Sequence, residues 1–186
     1  MDEQQLKDFF NEIKTALKGK IGGKEKEGTA KQCRTEDELC KKFIWNVIRE
    51  VLNRHEWKNN DFRLEGEIIN GKRNSVQQKY QLFGKGMCPD FYLKSEELGV
   101  MGEVKYISVK NNHNAHVLMD AIGETLSRML ISQKQTKPGL LKFDYGLIIF
   151  FDAHEEDHLG KYEKNPEEFA FIEHLWSQYK IYVIII

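Results

Sequence analysis

An α/β domain, built as a mixed sheet flanked by helices, is the fold class the sequence predicts. Three observations point to it. Apolar residues recur at helical spacing in two segments before residue 55. The period then changes to that of strands around a hairpin signal at Asn70-Gly71, and beyond Ala115 helical stretches alternate with short apolar runs. The order helix, group of strands, helix, strand, helix, strand is that of a sheet with helices on its faces. The chain has 186 residues, 40% hydrophobic and 31% charged, an ordinary globular balance that suffices for one core. Proline is scarce and no Gly/Ser-rich linker divides the chain. Residues 1–34 therefore read as an N-terminal helix and basic loop, and residues 35–186 as the main body of the domain.

Each element has its own signal. Leu6, Phe9, Phe10, Ile13 and Leu17 mark a helix over 2–17, broken by the glycine-containing basic stretch 19–28. A second helix begins at Thr35, which can cap it while Glu38, three residues on, completes a capping box. It runs to about residue 55 with Leu39, Phe43, Val47 and Val51 on its buried stripe. Residues 62–69 read as a strand, and 76–83 as its partner across Asn70-Gly71. Two more strands, 91–93 and 100–109, are joined by a polar turn at 94–99. The helical period returns over 115–132 through Leu118, Ile122, Leu126, Met129 and Leu130, and Pro138-Gly139 closes that segment. The apolar run 145–151 suits a strand buried on both faces. A helix over 169–179 and a strand over 181–186 complete the chain.

Charge and cysteine usage exclude several classes. The formal net charge of −1 gives no global attraction to polyanions. Basic residues nevertheless dominate from Lys18 to Lys85, and the segment from Asp152 to Glu173 is acidic, an asymmetry that can orient a molecule on nucleic acid or simply be solvated surface. Cys33, Cys40 and Cys88 are odd in number and form no C-x-x-C pair, which argues against a disulfide framework and against structural zinc. The acidic, amphipathic start is unlike a signal peptide, and the longest apolar runs are too short to span a bilayer. A cytoplasmic protein with no membrane partner is the expectation.

The chemistry concentrates at Asp90 and at Glu103-Val104-Lys105. Residues two apart in a strand share a face, so Glu103 and Lys105 point together while Val104 faces the core. If Leu93 pairs with Val100 across the turn, Asp90 falls opposite Glu103, with their Cβ atoms roughly 5 Å apart. Two opposed carboxylates repel unless a cation lies between them, and hard oxygen donors suit Mg²⁺ or Mn²⁺. Such an ion polarises a phosphodiester and acidifies a bound water. Lys105 beside it can orient or deprotonate that water, or neutralise charge on phosphorus.

Pro89-Asp90, a gap of twelve residues and then Glu103-Val104-Lys105 resembles the PD-(D/E)XK signature of the restriction-endonuclease-like nuclease superfamily. The resemblance covers residues 35–152. It implies a restriction-endonuclease-like core (αβββαβ), here with an added N-terminal helix and C-terminal helix and strand. The implied activity is Mg²⁺-dependent endonuclease cleavage of DNA, with Mn²⁺ as a substitute. Asp90, Glu103 and the Val104 carbonyl would ligate the metal, and Lys105 would serve the water. Many members add a carboxylate from the first core helix. Of the two candidates, Glu36 projects onto the stripe of Cys40, Phe43 and Val47 and takes this role, while Glu38 is left to cap. Some members carry a Gln and a Tyr one turn apart on the helix after the catalytic strand. Glu124 and Arg128 stand there instead, a departure that bears on the subfamily and that an i,i+4 ion pair would explain. A homodimer is compatible, since double-strand cutters often need a two-fold. The alternative is a nucleic-acid-binding module of the same fold without turnover.

Other signals rank lower. His154-Glu155-Glu156-Asp157-His158 matches the H-E-x-x-H of zinc peptidases, with Glu173 as a conceivable third ligand, but it follows a buried strand directly and lacks an apolar helical flank. His113 and His116 would contact phosphate only from a loop edge. Trp45, Trp57 and Trp176 read as packing residues, and Tyr80, Phe83 and Tyr92 as half-buried strand aromatics rather than base-stacking platforms. Gly84-Lys85-Gly86 lacks the spacing of a P-loop.

Overall fold

The computed structural model describes residues 2–21, 33, 35–54, 63–65, 68–69, 72–73, 80–82, 85–87, 89–94, 98–107, 114–134, 142–153 and 165–186. The first element is α1 (Glu3–Ile21), which buries Leu6, Phe9, Phe10, Ile13, Leu17 and Ile21 at three- and four-residue spacing. Its apolar stripe is part of the main core. Phe10 packs against Tyr182 with ring centroids 5.4 Å apart and meets Trp176 edge-on at 6.2 Å.

Thr35 caps the next helix as expected, its extended backbone letting the hydroxyl accept from the Glu38 N–H at 3.2 Å. The helical segment that it opens is not one continuous α-helix. α2 (Glu36–Leu39) passes into a π-helical turn, Cys40–Ile44, and then into α3 (Trp45–Arg54). A continuous 3.6 period would bury Phe43. The wide turn rotates the following residues, so that Ile44 is buried and Phe43 only half-buried, before Val47, Ile48 and Val51 resume the core face. Trp45, brought inward by the same rotation, stands edge-on to Phe91 at 5.2 Å.

The strands are β1 (Arg63–Glu65), β2 (Ile68–Ile69), β3 (Lys72–Arg73), β4 (Tyr80–Leu82), β5 (Lys85–Met87), β6 (Phe91–Lys94), β7 (Gly99–Ile107), β8 (Tyr145–Asp152) and β9 (Ile181–Ile185). The remaining helices are α4 (Asn114–Lys134), between β7 and β8, and α5 (Pro166–Tyr179), between β8 and β9. The main sheet runs β1-β6-β7-β8-β9. Its first three strands are antiparallel, while β8 and β9 lie parallel to β7. It is a mixed sheet flanked by helices.

Two expectations are corrected. The segment 62–69 does not pair with 76–83. Its first part, β1, is the edge partner of β6, with Leu64 opposite Leu93, and Ile68 and Ile69 pair with Arg73 and Lys72 in a short separate hairpin. β4 pairs with β5 instead. Alternation and a turn signal mark strands well but do not choose among distant partners. The buried stripe of α4 is also shifted. Ala121, Ile122, Thr125, Arg128, Met129 and Ser132 face the sheet, whereas Leu130 is 52% exposed.

The sheet divides the core in two. Phe91, Leu93, Val100, Val104, Leu147, Ile149, Tyr182 and Ile184 pack with α1, α2 and α3 on one face. Tyr92, Met101, Ile107, Ile148, Phe150 and Val183 pack with α4 and α5 on the other. β8, central and parallel to both neighbours, is buried along almost its whole length, as its unbroken apolar run requires. Among the described residues no helix is long and apolar enough to cross a membrane.

Candidate active site

The site grows out of the point where β6 ends and β7 continues. Leu93 pairs with Val100 and the ladder closes at Phe91 opposite Gly102; Asp90 follows at the end of the ladder, near enough to raise the proton affinity of Glu103. This is the register that the hairpin arithmetic requires. The Phe91 ring fixes it, because a Cβ on Gly102 would stand 2.1 Å from the ring. Asp90 then takes over the work of the missing strand. Its N–H donates to the Gly102 carbonyl at 3.1 Å, and its Oδ2 accepts the Val104 N–H at 2.8 Å.

One residue pair further along the same edge, the Tyr106 N–H favours the charged form of the Glu36 carboxyl. A strand residue sends its N–H and C=O to the same side. The Val104 carbonyl therefore leaves the strand on the edge that Asp90 caps and Glu36 approaches. The Tyr106 phenol also donates to the Cys33 carbonyl at 2.5 Å, and its ring stacks on Phe151. These contacts hold the start of α2 against the end of β7 and carry Glu36 there. Glu38 instead pairs with Lys42.

Glu103 and Lys105 point to the α4 face. A Cβ on Gly146 would lie 2.5 Å from the Thr125 methyl, so α4 seats its Thr125 side chain directly on the bare backbone of β8 at that point. This close approach lets Glu124 and Arg128 reach β7. Lys105 Nζ donates to Glu103 Oε1 at 2.6 Å and to Glu124 Oε2 at 3.2 Å. Arg128 donates through Nη1 to Glu103 Oε2 and through Nη2 to Glu124 Oε2, the latter at 3.4 Å. Glu103 is 2% exposed and Arg128 9%, so this is a buried network.

Burial and crowding set the protonation behaviour. Burial, and then Asp90, push the Glu36 carboxyl up to about 7 against the pull of Lys105 and the Tyr106 amide. Burial and Asp90 likewise push Glu103 up to about 8, although Arg128 and Lys105 oppose the shift. Burial works to lower Lys105, but Glu103, Glu124 and Glu36 outweigh it and keep the ammonium. Burial also raises the Cys40 thiol, with Asp90 and Glu36 adding to the effect, which places this cysteine beside the carboxylates.

Among the described residues, no three His, Cys, Asp or Glu side chains converge closely enough to hold a metal ion as they stand. The reason lies in Glu103, whose two oxygens are turned onto Lys105 and Arg128. The donors themselves fit a hard divalent ion. Asp90 caps one amide of the strand edge and Glu36 approaches the next, a backbone carbonyl leaves on the same edge, and Asp90 raises the proton affinity of both Glu36 and Glu103. A divalent ion would answer that repulsion if Glu103 exchanged its partners.

Asp90, Glu103, Val104, Lys105 and Glu36 thus lie together. From the sequence Arg128 reads as half of an ion pair with Glu124 or, with it, as a residue lining the cleft; its hold on Glu103 was missed. A signal existed: Arg128 falls on one helical stripe with Ala121, Thr125 and Ser132, and an arginine on a buried stripe needs a buried anion. His116 is exposed at the start of α4, and Trp45, Trp176 and Tyr92 are core residues. His113, Trp57, Phe83, Pro138-Gly139 and the segment from His154 to His158 lie outside the described residues, as do the side chains of Tyr80 and Lys85. Comparison of the chain with protein-family models, curated proteins and solved structures finds no match.

Proposed function

We propose that this chain is a metal-dependent nuclease that hydrolyses phosphodiester bonds, with DNA as its substrate and Mg²⁺ or Mn²⁺ as its cofactor. The observation that carries the reading is the gathering of Asp90, Glu103 and Glu36 at the end of the β6–β7 ladder, with Lys105 bonded to Glu103. The succession of a helix, three antiparallel strands, α4 and a parallel strand supports it, being the core order that the restriction-endonuclease-like resemblance implies. On this reading Asp90, Glu103, Glu36 and the Val104 carbonyl hold the ion. When bound, the ion supplies Lewis acidity toward the phosphodiester and toward water.

The chain's own groups do the remaining work. Asp90, tied to a backbone amide of β7, and Glu36, which approaches the next, are oriented by the sheet itself. Lys105, an ammonium held between Glu103 and Glu124, orients the attacking water and offsets charge developing on the phosphoryl oxygens. The test is cleavage of plasmid and single-stranded DNA by wild type and by Glu103→Ala, with Mg²⁺, Mn²⁺ or EDTA. Wild type is expected to cut with either metal, and both EDTA and the substitution to abolish cutting. A second reading, a nucleic-acid-binding module of the same fold, draws on the engagement of both Glu103 oxygens by cations. Intact DNA binding with no cleavage of either substrate would favour it.

A further inference from the structure

We infer that Arg128 competes with the divalent metal for Glu103, serving as a counter-cation that holds this carboxylate until metal displaces it. The inference rests on the nuclease-site reading above. Glu103 is 2% exposed, so in the absence of metal its carboxylate needs positive charge in contact. Lys105 takes one oxygen and Arg128 the other. Arg128 is poorly accommodated in return. It is 9% exposed, and its Nε–H is buried with no hydrogen-bond partner.

A guanidinium placed only to brace α4 on the sheet would have its donors satisfied. This one is placed by the anion. A divalent ion shared by Asp90 and Glu103 would repel the guanidinium and take over the oxygen it holds. Glu124, already 3.4 Å from Nη2 and at the rim of the network, is the carboxylate that would retain Arg128 after the exchange. Arg128 is therefore a positioning residue for Glu103, and it lowers metal affinity instead of raising it. A merely structural arginine would do the reverse, because its loss would disorder Glu103 and weaken metal binding.

The test is calorimetric titration of the full chain with Mn²⁺ alone, without nucleic acid, for wild type, Arg128→Gln, Arg128→Lys and Asp90→Asn. Arg128→Gln is expected to bind at least about tenfold more tightly than wild type, the scale on which neighbours of a ligand tune metal affinity. Arg128→Lys should fall between the two. Thermal unfolding gives a second readout, since Mn²⁺ should raise the melting temperature of Arg128→Gln more than that of wild type. If Arg128→Gln does not fold, the wild type still decides. The guanidinium resonances of Arg128, assigned by their loss in Arg128→Lys, should shift and average as Mg²⁺ saturates the site. Unchanged resonances at saturation would overturn the competition, and so would an Arg128→Gln affinity equal to or below wild type. Wild type that binds no Mn²⁺, or that binds it as well with Asp90→Asn, would overturn the metal-site reading itself.

Discussion

The two halves of β7 are built by different rules. From Gly99 to Gly102 the strand has β6 on one side and β8 on the other, and all four residues are buried. From Glu103 to Ile107 it keeps β8 but has outlived β6, and side chains take the place of a strand: Asp90 receives the Val104 amide, and the Glu36 carboxyl approaches the Tyr106 amide. The charged residues of the strand occur only in this second half. A backbone edge left open inside a domain must be satisfied by something. Satisfying it with carboxylates gathers negative charge where a cation and a phosphodiester can be recruited. The first half supplies rigidity, and the second gathers the charged groups of the candidate site.

Substitutions should separate the halves. Asp90→Asn keeps an acceptor for the Val104 amide but removes the charge. It should leave the circular dichroism spectrum and melting behaviour near wild type and lower Mg²⁺-dependent cleavage by about a thousand-fold, the rate equivalent of several kcal/mol of metal-borne stabilisation. Cleavage by this variant at the parental rate would sink the assignment of Asp90. Gly102→Ala strikes the other half, driving a methyl into the fully buried Phe91 ring. Overpacking of that kind should cost about 1–3 kcal/mol in urea denaturation, with activity lost only as far as the fold is. An unchanged denaturation midpoint would mean the hairpin register is not pinned where the ring and glycine meet.

The smallest effect is a pH dependence confined to the second half. Glu36, raised to about 7, and Glu103, raised to about 8, bind protons more tightly in the folded chain than in the unfolded one. Their contribution to stability is therefore complete below the ordinary carboxylate range and is lost as pH rises through these values. In EDTA the melting temperature should fall between pH 5 and pH 8. Mg²⁺ should remove most of the decline, because it favours the ionised carboxylates. A melting temperature that rises over the same interval would contradict the crowding of the three carboxylates.

Local signals carried much of this design into the sequence. Helical spacing marked α1, the start of α2, α4 and α5. An unbroken apolar run marked β8, and a polar turn of known length set Leu93 against Val100, which brings Asp90 to the end of the ladder near Glu103. These features depend on neighbours in the chain or on a short hairpin, so composition and period determine them. The capping of α2 by Thr35, and the preference for Glu36 over Glu38 as the carboxylate nearer Asp90, are local in the same sense.

Other features were settled only when distant elements met. β1 lies beside β6 and not beside the segment 76–83, a choice among edges that alternation cannot make. The π-helical turn at Cys40–Ile44 rephases a helix whose sequence reads as continuous, because Trp45 and Ile44 must both reach the core. Arg128 looked like the partner of Glu124, four residues away, until the close seating of α4 on Gly146 brought it to Glu103. The sequence alone determined which residues carry charge and which hairpin aligns two of them. Only the tertiary structure decided what neutralises that charge, because a buried carboxylate is answered by whatever cation packing brings within reach.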